Sequence, residues 1–193
     1  ARGSARYRVV RGRTKEPAVA RIGLTLQDGV ATIDTGAATF RVDVRRFRLF
    51  DSVKLQGAEF LRTGADFAGI LAEDAAGKRS AVEATPAQAE FEESGPVRAV
   101  LCVRGQLTTA SSADARNLSP LHYYAGSADV RIFFTLHNPS AHNHPGNIWD
   151  LGSGGSLFLE DLSIAVPLVH SEGWRASATQ GSQEQYGPQL KLY

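Results

Sequence analysis

Asp28-Gly29, set between IGLTLQ and VATID, is the feature that most limits what this chain can fold into. An Asp-Gly pair between alternating apolar runs is the strongest short-range signal for a two-residue β-hairpin, because both turn positions need positive φ. It commits its surroundings to antiparallel pairing. The pattern recurs along the chain. Tyr7 and Val9, then Val19, Ile22, Leu24 and Leu26, mark two early strands separated by the polar RGRTKEP. Thr35-Gly36 turns into AATFRVDV, and RFRLFDSVKLQ continues with Phe47, Leu49, Val53 and Leu55 alternating. VRAVLCVRGQL is a strand partly buried on both faces, and Ala125-Gly126-Ser127 separates the Tyr123-Tyr124 run from VRIFFTLHN. SLFLEDLSIAVPLV is the longest β candidate, with a bulge expected at Glu160-Asp161. TTASSADARNLS is polar and Ser/Ala-rich and reads as a mobile loop, while ATPAQAEFEE fits either a short helix or a solvated edge strand.

No internal repeat, low-complexity tract or amphipathic helix of about ten residues interrupts this pattern. Short strands with Gly, Pro and Asp turns predict an all-β chain with little helix, folded as an antiparallel β-sandwich. The 193 residues, 42% of them hydrophobic and 21% charged, suffice for a real core in one such domain and lie well away from disorder. A net charge of +1 supplies no basic field, so neither nucleic acid nor an anionic membrane is an expected partner. No apolar run approaches the ~20 residues that span a bilayer, and no N-terminal segment reads as a secretion signal. Cys102, the lone cysteine, sits in AVLCVRG and reads as a small buried hydrophobe. The sequence contains no methionine. Ala1 is therefore read as something other than a translation start, and the terminal QLKLY as a strand cut short. The expectation is a single sandwich domain over 1–193 that is a fragment of a longer chain, with 1–30 a candidate end of a preceding barrel.

The connection after VRIFFTLHN is far longer than the two to five residues that a hairpin needs, which points to function. His137, His142 and His144 form H-x4-H-x-H, with Asp150 six residues beyond. Three imidazoles and a carboxylate are ligands for Zn²⁺ or a similar cation, so a divalent metal is one reading. A second is a hydrogen-bonded surface loop in which Asp150 caps backbone amides. A third is a sugar subsite, with His144 or Asp150 on hydroxyls and Trp149 stacked on a ring face or anchoring the loop. Other motifs add little. Phosphate-loop, dinucleotide and nucleophile-elbow signatures are absent. Glu92-Glu93 and Glu160-Asp161 are expected on opposite strand faces, which argues against a paired glycosidase site. Asn117-Leu118-Ser119 fits an N-glycosylation acceptor.

DTGAATFRV, FRLFDSVKLQG, SGPVRAVLCVRGQL, YYAGSADVRIFFTLHN and HPGNIWDLGSGGSLFLEDLSIAVPL, in that order, resemble the central β-sandwich domain of the rhamnogalacturonan exolyase-like (YetA-like) family. The resemblance runs from about Ala31 to Tyr193. It implies a carbohydrate-active protein of the polysaccharide-lyase class, extracellular or periplasmic, that acts on or binds uronate-containing polysaccharide. It also implies flanking domains, a leading barrel and a following α/α-toroid, as partners in the same polypeptide. An eliminative lyase neutralises a uronate carboxylate, removes a proton and protonates the departing oxygen, tasks suited to Arg, Tyr and His. His122, Tyr123, Tyr124, Arg131 and His144 lie in or beside the matching blocks, and sequence does not sort them into acid and base. The alternative is a non-catalytic module that binds carbohydrate or self-assembles through strand edges, a homo-oligomer included.

Overall fold

The computed structural model describes residue 8 and residues 21–62, 69–73, 77, 79–81, 88–108, 114–139 and 161–169. Among them the chain is all β, an antiparallel sandwich whose single helical element is a short 3₁₀ turn. The first sheet takes its strands in chain order: β1 (Gly23–Gln27), β2 (Val30–Asp34), β3 (Ala38–Asp43), β4 (Ser52–Leu55) and β5 (Ala58–Glu59). The small third sheet runs in the order β13 (Asp161–Ala165), β6 (Gly69–Glu73), β7 (Arg79–Ala81). The second sheet is built on two long strands, β9 (Arg98–Thr108) and β10 (Asp114–Tyr124). β8 (Gln88–Ser94) lies on the far side of β9, and β11 (Val130–Ile132) and β12 (Thr135–His137) both pair with β10.

The Asp28-Gly29 signal is borne out. Asp28 and Gly29 have φ of 50° and 73°, the two positive values that a tight β1–β2 turn requires. Gln56-Gly57 repeats the geometry between β4 and β5. At the β2–β3 turn the Thr35 hydroxyl donates to the Ala38 carbonyl and accepts from the Ala38 amide, both at 3.0 Å. Alternation then fills the core. Ala31, Ile33, Phe40 and Val42 of the first sheet face Leu101, Val103, Leu121 and Tyr123 of the second, all buried. Phe40 and Tyr123 meet across the gap with ring centroids 5.1 Å apart. Ile70 and Ala72 of β6 extend the same core. Backbone bonds stitch one end of the sandwich, the Gly126 amide donating to the Thr35 carbonyl at 2.7 Å and Ala125 to Val97 at 2.8 Å. Arg62 to Pro167 at 2.8 Å and Val169 to Phe60 at 3.0 Å tie the third sheet on.

Three expectations need correction, and one left open between helix and edge strand is decided. RFRLF does not continue as a strand: Val44–Arg46 is a 3₁₀ turn, capped by the Asp43 carboxylate on the Arg45 amide, and Leu49 takes φ 70° while staying buried. ATPAQAEFEE resolves, over its described part, into edge strand β8. The TTASSADARNLS segment is no loop from Asp114 onward, because it is the first half of β10. There Ala115, Asn117 and Ser119 point inward, and Asn117 Nδ2 donates to Ser119 Oγ at 3.3 Å. Pairing to β9 on one side and β12 on the other supplies its backbone bonds, which overrides a polar composition. Asn117 is 3% exposed, so in this fold the glycosylation motif is sealed from any transferase. VRIFFTLHN is divided, because Pro120 has no amide to return the bond that the Phe133 amide makes to the Pro120 carbonyl at 3.1 Å. β11 and β12 nevertheless keep one register along β10.

Candidate functional site

The outer face of the second sheet carries the chemistry. On β10 the core takes Leu121 and Tyr123, so His122 and Tyr124 are turned to the other side. Register places Arg131 directly opposite His122 on β11, and Arg98 directly opposite Tyr124 on β9. Arg98 Nη2 lies 3.3 Å from His122 Nδ1 and also 3.3 Å from a Glu93 carboxylate oxygen. Phe133, 45% exposed, holds the row on its other flank. The Arg131 guanidinium carbon lies 5.0 Å from the Phe133 ring centre, and the His122 ring meets Phe133 edge-on at 5.2 Å.

The geometry fixes the state of His122. A guanidinium only donates, so Nδ1 accepts and the proton of the neutral ring sits on Nε2. Desolvation, together with the cationic charges of Arg98 and Arg131, pushes the imidazole below its ordinary pKa against the opposing pull of Glu93 and Glu92. His122 is therefore presented as a neutral N–H donor, suited to a hydroxyl or carboxylate oxygen rather than to proton abstraction. Beside it, Arg98 and Arg131 offer planar forks for a carboxylate.

β8 overturns the expectation for Glu92 and Glu93. A bulge between Phe91 and Glu93 shifts the register, so consecutive carboxylates both serve the outer face. Glu93 meets Arg98, while Glu92 meets Arg104 at 2.6 Å and Glu90 pairs with the other end of the same guanidinium. This layer lies over Cys102, which is fully buried as expected. Burial, a hydrogen bond to Glu92 and neighbouring carboxylates, partly offset by Arg104, push its thiol up to about 11. It is no nucleophile at neutral pH.

Of the residues singled out from sequence, His122, Tyr124 and Arg131 are brought together. Tyr123 is not, being a core residue with no exposure. His137 lies on the same outer face opposite Arg116 of β10, six positions from His122, about 20 Å away along the strand. His142, His144, Trp149 and Asp150 lie outside the described residues, as does most of the long connection. Among the described residues no three His, Cys, Asp or Glu side chains are arranged to hold a metal. Arg98 and Phe133 were not singled out from sequence, and Glu93 was weighed only as half of a carboxylate pair. Alternation along β9 from buried Ala99 could have placed Arg98 outward, and the Phe133 face follows once Arg131 is turned outward. Only the bulge, invisible in QAEFEES, decides Glu93.

Hollows of ≈ 290 Å³, lined by residues such as Asp34, Lys54 and Gln56, and of ≈ 230 Å³, lined by Gln88, Ala89, Glu90 and Arg104, do not include the His122 row. The row lies on the outer face of the second sheet, where Arg131 and Phe133 are exposed. No helix among the described residues is long and apolar enough to cross a membrane. Fold and site together define an all-β sandwich with a charged, aromatic-flanked outer face. Comparison of the sequence with models of protein families gave no match, and neither did comparison with curated proteins.

Proposed function

We propose that this chain is the β-sandwich portion of an extracellular or periplasmic carbohydrate-active protein akin to the rhamnogalacturonan exolyase-like proteins, and that its outer face binds uronate-containing polysaccharide. The observation that carries this reading is the row Arg98–His122–Arg131 beside Phe133. Two guanidinium forks and an N–H donor match a sugar carboxylate and its adjacent hydroxyls. An exposed aromatic edge and Tyr124 suit the apolar face of a pyranose. Trp149 and Asp150 are proposed as further substrate-binding residues.

A row of donors and guanidinium forks on exposed strand positions favours holding the polysaccharide over cleaving it. Eliminative chemistry draws its electrostatic stabilisation from a water-excluded site, whereas Arg131 and Phe133 of this row are exposed. In the lyase reading the row is the carboxylate-recognising wall, with His122 as a hydrogen-bond donor to the sugar, Tyr124 as a proton donor and catalysis completed by further groups, His144 among them.

Calorimetric titration with a galacturonic acid trimer tests the binding. Wild type is expected to bind it, while Arg131→Ala weakens binding about tenfold or more, the loss of a charge-assisted fork. The chain alone is expected to yield no unsaturated product, followed by its absorbance. Equal affinity in wild type and Arg131→Ala would reject the site, and strong cleavage by the chain alone would reject the binding-only role.

A further inference from the structure

Arg98 has two partners, and only one of them survives acidification. Its Nη2 is shared between His122 Nδ1 and Glu93, each at 3.3 Å. The bond to His122 exists only while Nδ1 carries a lone pair. A proton on Nδ1 turns that atom into a donor facing a donor, and the contact breaks. Glu93 then remains to hold Arg98 in place.

The groups around the imidazole come from three strands besides its own. β9 presents Arg98, β11 presents Arg131, and β8 presents Glu93 together with Glu92, the latter engaged by Arg104. Tyr124 is the neighbour on β10, and Phe133 covers one edge of the ring. With the site empty, desolvation and the two guanidiniums lower the imidazole pKa. A bound carboxylate changes the balance, because an anion between Arg98 and Arg131 offsets the repulsion that kept the proton away.

Resting on the uronate-binding reading above, we propose that the His122 row is a proton-linked carboxylate site: carboxylated saccharide and a proton on His122 bind together, so affinity rises as the medium turns acidic. The coupling is reciprocal, since whatever the proton adds to ligand affinity the ligand adds to proton affinity. A sugar carboxylate, with a pKa of about 3.5 like other α-substituted carboxyls, stays ionised through this range. Neutral saccharides lack the charge that carries the effect.

Galacturonic acid trimer and a neutral galactose trimer are titrated calorimetrically at pH 5.0 and 7.5, each in two buffers of different ionisation enthalpy. Wild type is expected to bind the acidic trimer about threefold or more tightly at pH 5.0, with net proton uptake, and the neutral trimer without pH dependence. His122→Gln, which keeps an N–H donor without a titrating ring, is expected to bind more weakly than wild type at pH 7.5 and to lose most of the slope. Acidic trimer binding with no slope and no proton uptake, or with a slope unchanged in His122→Gln, overturns the proton link while leaving carboxylate binding intact. No binding of the acidic trimer at either pH overturns both.

Discussion

Tyr123 and Tyr124 are consecutive, yet one is sealed against Phe40 and the other lies on the charged face. Strand alternation assigns them opposite environments. The Tyr123 hydroxyl is buried and finds no hydrogen-bond partner among the described residues, and burial pushes its pKa well above the ordinary phenol value. A buried hydroxyl without a partner costs about 1–3 kcal/mol, so Tyr123→Phe should match wild type or gain up to about 1 kcal/mol in urea unfolding. A loss instead would show that the hydroxyl is satisfied. Glu59 is the opposite case. Its carboxylate accepts from Ser52 Oγ at 2.5 Å and from the amides of Val53, Phe60 and Leu61 at 3.0, 3.3 and 3.3 Å. Desolvation opposes ionisation, but these donors outweigh it and hold the pKa below the usual carboxylate value. The folded form then binds fewer protons than the unfolded one. Stability from Glu59 is full above the ordinary pKa of 4.5 and is lost as pH falls through the lower folded value. Glu59→Gln should cost about 2 kcal/mol at pH 7 and leave a shallower stability loss on acidification, measured by thermal unfolding.

At the scale of the element, backbone conformation decides what side-chain type does not. Gly69 opens β6 at φ +88°, and a Cβ there would stand 2.7 Å from the Arg48 Cα. Gly57, at φ +84°, has open space in the same direction. Gly57→Ala should therefore cost only the left-handed penalty of about 1 kcal/mol, whereas Gly69→Ala adds a backbone clash and should cost about 3 kcal/mol or more. Denaturant midpoints of the two variants give the comparison, and equal losses would remove the close approach as the cause. The β8 bulge works on the same scale. One extra residue re-aims Glu93, and that gives Arg98 its second partner.

Across the whole molecule, three sheets share one core, and Phe40 sits where the first two meet. Phe40→Ala should destabilise by about 3–5 kcal/mol while unfolding stays a single transition by far- and near-ultraviolet circular dichroism. Separate transitions would mean that the sheets fold as independent units. The charged outer face belongs to this scale too, because a strand turned inward on one side by the sandwich must present its alternate residues on the other.

Local patterning determined the all-β class, the tight turns at Asp28-Gly29 and Thr35-Gly36, and the buried Cys102, because hairpin turns and apolar alternation are set within a few residues. It also brought His122, Tyr124 and Arg131 forward, through their place in strand-like blocks that resemble a lyase domain. Tertiary structure alone decided that polar Asp114–Ser119 is a central strand, since its ladder bonds come from β9 and β12, both outside the segment. The same holds for the site. Arg98 and His122 are 24 residues apart in the chain and meet only through β9–β10 register. Whether Glu93 joins them depends on a bulge that leaves no mark in the sequence pattern, because a one-residue slip in pairing changes which face a side chain serves without changing the residue itself.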